Sequence, residues 1–225
     1  MEYGLVNTFG YGENVRRMAR KRTGSGPLRG GAPTLTAADW AEAALQLIAE
    51  RGLGALTVNA LAKRLGVTKG SFYWHFQSRS DLLAAALAHW EGRATSDAIR
   101  GLDAVGDHRR RLELMLDAAS QPPRSRSLYA ALAEAAEDPT VRSVLNRVAS
   151  ARIAYLETCY SKLGMPPQRA KTYAVLAYAA YRGLLQLAHE APEALPADWS
   201  SYPEVVRTAL IPDRNGTLRR GRIKK

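Results

Sequence analysis

From Leu35 onward the apolar residues of this chain fall at helical spacings. The capping box Thr36-Ala-Ala-Asp39 leads into Trp40, Ala43, Ala44, Leu47 and Ile48, a first helix that ends at Gly52-Leu-Gly54. Val58, Leu61, Ala62 and Leu65 then stand at i, i+3, i+4 and i+7, the apolar stripe of a short helix. Gly66 follows where a helix end favours positive φ, and the Thr68 hydroxyl is expected to cap the next helix, Lys69 to about Phe76. In that helix Phe72 and Phe76 face inward. Ser78-Arg-Ser-Asp81 opens a long helix through Leu83, Leu87, Trp90 and Ala94 to about Leu102. Beyond Gly106 the pattern is again helical: His108 to about Ser120, Ser127 to Glu137, Thr140 to Leu163, Pro167 to about Glu190, and a short Tyr202 to Leu210. Pro122-Pro123 and Pro166-Pro167 break the run between them. The chain is expected to be all-α.

Two short helices joined by a tight glycine turn could form a plain αα-hairpin with a solvated outer face. The outward residues of the second helix favour a DNA-binding helix-turn-helix instead. Gly70 permits close approach to a groove. Lys69, Ser71 and Tyr73, with Asn59 on the preceding helix, are the candidates for reading base edges. Thr57, Thr68, Trp74 and His75 suit the sugar-phosphate wall, as does Arg79, placed where helix N-terminal amides already favour phosphate.

The run from Gly66 to Phe76, followed by Ser78-Arg79 and Asp81-Leu-Leu83, resembles the signature of TetR-family transcriptional repressors, and the likeness extends from about Leu35 to Leu83. The family's usual lysine after the second helix is Arg79 here, which keeps the positive charge. The resemblance implies a three-helix DNA-binding domain over 35–80 and a helical effector-binding and dimerisation domain over 81–211. It also implies a homodimer on a palindromic duplex operator. A small, largely hydrophobic effector would shift the long linker helix and spread the recognition helices, lowering operator affinity.

Charge refines this division. The formal net charge is +11, but residues 1–34 hold six Arg/Lys against Glu2 and Glu13, and residues 212–225 hold six against Asp213. The middle of the chain is close to neutral. Residues 1–34 therefore read as a flexible basic arm that could add phosphate contacts and 212–225 as a basic tail, and a protein coating DNA non-specifically through the two is the main alternative. Cys159 is the only cysteine, which rules out an internal disulfide and suits a reducing cytoplasm. No apolar run approaches the roughly 18 residues of a membrane span.

The helix from Pro167 is apolar on more than one side, which requires burial on two. Val144, Val148, Leu176, Ala180, Leu184 and Leu187 are the candidates for an interface with a second copy, a four-helix bundle across a two-fold axis. Trp90, Met115, Tyr129, Tyr155, Cys159, Tyr178 and Tyr181 are the candidates for an effector pocket, since buried tyrosine hydroxyls need partners that an amphipathic ligand can supply. Core packing is the plain alternative for these residues. The four histidines lack metal-ligand spacing and no nucleophile elbow is present, so neither cofactor nor metal is expected. A helical-bundle enzyme acting on a hydrophobic substrate is the remaining alternative.

Overall fold

The computed structural model describes residues 35–121 and 128–212. The two basic arms and the start of the helix expected from Ser127 lie outside these residues. The described residues form α1 (Ala37–Arg51), α2 (Val58–Leu65), α3 (Lys69–Tyr73), α4 (Arg79–Glu91), α5 (Ala98–Asp103), α6 (His108–Ala119), α7 (Leu128–Glu134), α8 (Pro139–Lys162), α9 (Pro167–Glu190) and α10 (Tyr202–Leu210). Among them no helix is long and apolar enough to cross a membrane.

Each start and stop has a local cause. Thr36 and Asp39 cap α1 reciprocally: Thr36 N–H donates to Asp39 Oδ2 at 2.8 Å, and Asp39 N–H to Thr36 Oγ1 at 3.3 Å. Thr57 Oγ1 accepts from Ala60 N–H at 3.1 Å, and Ser78 Oγ from Asp81 N–H at 3.1 Å. The Asp107 and Asp138 carboxylates cap α6 and α8. Gly66 takes φ +70° so that Val67 N–H can reach back to Ala62 O at 3.0 Å, the bond that turns the chain into α3.

Two apolar clusters fill the interior. The first joins α1–α4 to α7 and the N-terminal half of α8, through Trp40, Ile48, Phe72, Leu87, Leu132 and Val148. α1 is consequently buried nearly all round, Ala41 and Leu45 included, because α7 covers the side that the α2–α4 group leaves open. The second cluster joins α6, the C-terminal half of α8, the N-terminal half of α9 and α10, through Leu112, Leu116, Leu156, Tyr160, Ala174 and Leu210. Each large side chain buried in this way is worth about 1.5–3 kcal/mol.

Four expectations change. The second helix of the turn ends at Tyr73, and a turn carries Trp74 and His75 to Phe76. Phe76 is still buried, because its N–H bonds back to Phe72 O at 3.0 Å. The Thr68 hydroxyl makes no capping hydrogen bond; Ser71 N–H goes to the Thr68 carbonyl instead. The linker helix is interrupted by a π-helical turn over Gly92–Asp97 before α5 resumes it. Finally, Val144, Val148 and Leu184 are buried within the subunit's own core, so they are not available to a second copy.

Candidate nucleic-acid interface

α3 is too short to be stable alone, and its attachment is aromatic. Phe72, fully buried, meets Trp40 of α1 edge-on at 5.5 Å between ring centroids, and packs against Phe76 at 5.7 Å. With Phe72 pinned, the rest of the helix is turned outward. Tyr73 is 65% and Trp74 88% exposed. Lys69, Gly70 and Thr68 are exposed, while Ser71 and His75 are half-buried. Asn59 and Thr57 of the preceding helix lie on the surface as well. The predicted base-reading and phosphate residues are thus exposed or half-buried, most of them on α3 and the turn after it, with Thr57 and Asn59 at the start of α2.

Gly70 has no internal reason to be glycine. A Cβ there would meet only Thr68 Oγ1, at an ordinary 3.6 Å, and its φ is not in the left-handed region. The fold would accept alanine, so the bare backbone matters only to something that approaches from outside.

The cations around α3 are not equally available. Arg64 lies against Glu50 with two contacts of 2.6 and 2.7 Å, and this bond holds the Glu50 carboxyl below its ordinary range. Arg79 is the larger surprise. Its Nε donates to Leu56 O at 2.6 Å and its Nη2 to Leu53 O at 3.1 Å. The guanidinium thus ties α4 to the 3₁₀ turn Leu53–Ala55 that leads into α2. This revises its expected role as a phosphate ligand. Arg79 supports the turn and has only its remaining N–H groups to offer.

The seven residues expected at an effector pocket divide. Met115, Tyr155 and Cys159 belong to the second cluster. Tyr155 Oη donates to Asp103 Oδ1 at 2.9 Å, beside the Arg111–Asp103 pair, so its hydroxyl braces α8 against α5. Cys159 is wholly buried, and that burial pushes its thiol up to about 11. Trp90, Tyr129, Tyr178 and Tyr181 come together between the two clusters. Trp90 and Tyr129 meet edge-on at 5.7 Å, Tyr178 and Tyr181 lie 6.4 Å apart, and the Tyr129 and Tyr178 hydroxyls are 2.8 Å apart. Two arginines that the sequence reading passed over join them. Arg182 stacks over the Tyr129 ring at 3.6 Å, and Arg152 reaches the same layer from α8. The signal was present: Arg152 stands four residues from both Val148 and Leu156 on an otherwise apolar stripe.

Of the residues expected at a second-copy interface, Leu176 and Leu187 are 50% and 47% exposed, and Ala180 is exposed between them. Val175, Ala179 and Gly183 extend the same face of α9. No group of three or more potential metal ligands occurs among the described residues.

Comparison with known proteins agrees with this geometry. The model of bacterial regulatory proteins of the tetR family matches residues 41–86, which span most of α1 and all of α2 and α3, and run into α4. The chain is 31% identical over 81 residues to the HTH-type transcriptional regulator SrpR of Pseudomonas putida, covering 36% of this chain and 38% of that regulator. It is 40% identical over 43 residues to the HTH-type transcriptional regulator AcrR of Shigella flexneri, covering 19% and 20%. The chain thus matches well under two thirds of the length of these curated relatives. A crystal structure of a transcriptional regulator from Rhodococcus sp. Rha1 superimposes with a TM-score of 0.60 at 25% identity, over 76% of this chain and 91% of that one.

Proposed function

Because residues 41–86 match the tetR family of bacterial regulatory proteins, we propose that the chain is a dimeric repressor of that family, which reads a palindromic operator with α3 and releases it when a small effector binds the C-terminal helices. The observation that carries this reading is the exposed, glycine-opened face of α3, held outward by a fully buried Phe72. Lys69, Gly70, Ser71 and Tyr73, with Asn59, read base edges in the major groove. Thr57, Thr68, Trp74 and His75 contact the backbone and fix the register.

Two copies are needed, because one five-residue helix reads too few base pairs to select an operator. The face of α9 supports that pairing. Leu176 and Leu187 flank Ala179, Ala180 and Gly183, and small residues between leucines let a second helix approach closely. The outward side of α8 offers Ser150, Ala154 and Thr158 beside it, so α8 and α9 of two copies make a four-helix bundle.

Effector control follows from the linker. α4 begins at the recognition unit and, through the π-turn and α5, runs into the body that α8 and α9 pack against. A ligand that binds better to the arrangement with separated α3 helices lowers operator affinity, and the operator lowers ligand affinity by the same factor. Selection of bound duplexes from a random pool by the full-length protein tests the reading. Enrichment of a palindrome with two half-sites supports it. Recovery of unenriched sequence would instead show binding by charge alone.

A further inference from the structure

The seam between the two apolar clusters is lined with cations. On the inner stripe of α8, Val148 belongs to one cluster and Leu156 to the other, and Arg152 stands between them, 7% exposed. Burying a guanidinium is costly and is offset only by acceptors or by an anion. Arg152 Nη2 donates to Ala94 O, a carbonyl of the π-turn, at 2.7 Å. Its guanidinium carbon lies 6.0 Å from the Tyr181 ring centroid. Arg182 reaches the same layer from α9, its guanidinium carbon 3.6 Å from the Tyr129 ring centroid, and its buried Nη1 has no hydrogen-bond partner among the described residues. Thr95, also in the π-turn, is buried with its hydroxyl likewise without one there. Helical threonines ordinarily satisfy that hydroxyl on a carbonyl one turn back.

Two guanidinium groups and the Tyr129 and Tyr178 hydroxyls thus share one aromatic layer, with Arg182 Nη1 and, in the adjoining π-turn, the Thr95 hydroxyl lacking a partner among the described residues. A neutral hydrophobic ligand would leave those donors unsatisfied, whereas a carboxylate accepts from a guanidinium with two oxygens at once.

We infer that the effector is an amphipathic carboxylate, its acid group held by Arg152 and Arg182 and its apolar or aromatic body lying along Trp90 and Tyr181. This rests on the reading that the C-terminal helices hold the effector, and it replaces the largely hydrophobic ligand expected from sequence. It also names the lever. Arg152 grips Ala94 O, so an acid that recruits Arg152 acts on the linker helix at its π-turn.

The test titrates full-length protein with two matched pairs, decanoate against decanamide and 2-naphthoate against 2-naphthamide, by calorimetry. At least one acid is expected to bind about tenfold or more tighter than its amide. Arg182→Gln should abolish that preference, and Arg100→Gln on the surface should keep it. Arg152→Gln should act like Arg182→Gln, and where it does not fold, Arg182→Gln carries the test. A preference below tenfold in both pairs, no binding by either acid, or a preference that survives in Arg182→Gln overturns the inference. Duplex binding is measured alongside. An amide that binds as well as its acid and still releases DNA sinks the carboxylate but leaves a ligand-controlled repressor standing. Failure to select any duplex sinks the repressor reading whichever ligand binds.

Discussion

α3 with the turn that follows it, and α9, both expose large apolar side chains, in different surroundings. On α3 and the turn after it the exposed groups are the rings of Tyr73 and Trp74, next to Lys69 and a glycine. On α9 they are Val175, Leu176 and Leu187, spaced by alanine and glycine with no cation on the stripe between Val175 and Leu187. Rings that carry a polar atom or lie beside a cation suit a charged, hydrated surface. Aliphatic residues around small ones suit another helix, which excludes water. Both faces are exposed; what surrounds the exposed groups distinguishes them.

Substitutions can break this contrast in order of expected size. Phe72→Ala removes the anchor of α3 and should cost about 3–5 kcal/mol of unfolding free energy, read by denaturant titration. An unchanged midpoint would mean that Phe72 does not hold the helix in place. Replacing Leu176 and Leu187 together with aspartate should leave a folded monomer by light scattering, with operator affinity reduced by about two orders of magnitude or more through loss of the second half-site. A persistent dimer would show that α9 faces something else.

Smaller effects sharpen the α3 side. Lys69→Ala should cost about 1–3 kcal/mol at the operator and relax selection at one base pair, measured by anisotropy on operator variants. Equal loss on every sequence would move Lys69 to the phosphates. Gly70→Ala gives the smallest change in the protein itself. Its melting temperature should hold or rise slightly, since the new methyl has room and alanine favours helix. Operator affinity should nevertheless fall. Unchanged affinity would mean that no groove comes close to this backbone.

The turn was legible in sequence because its signals are local. Gly66 and the Phe72/Phe76 pair act within a few residues of themselves, and the structure shows the positive φ and the burial at those positions. The break between α8 and α9 was legible for the same reason, through the pair Pro166-Pro167. What escaped depends on distant partners. Periodicity puts Val148 and Leu184 on apolar stripes but does not say whether the subunit or its copy covers them. α7 closes over α1 from far along the chain, so the extra burial of Ala41 and Leu45 has no signature within α1. Arg79 looked like a phosphate ligand because the carbonyls it binds, Leu53 and Leu56, are over twenty residues away. The π-turn, one extra residue in the hydrogen-bond ring, leaves the apolar pattern almost unchanged.

The central claim is that two copies of α3 enter successive major grooves of one duplex. Methylation interference on the selected operator measures this directly, because guanine N7 lies in the major groove where Lys69 would reach it. The account expects two clusters of interfering guanines related by a two-fold axis, with centres about one helical turn or somewhat more apart. Interference at a single cluster, or none while binding stays tight, would contradict it.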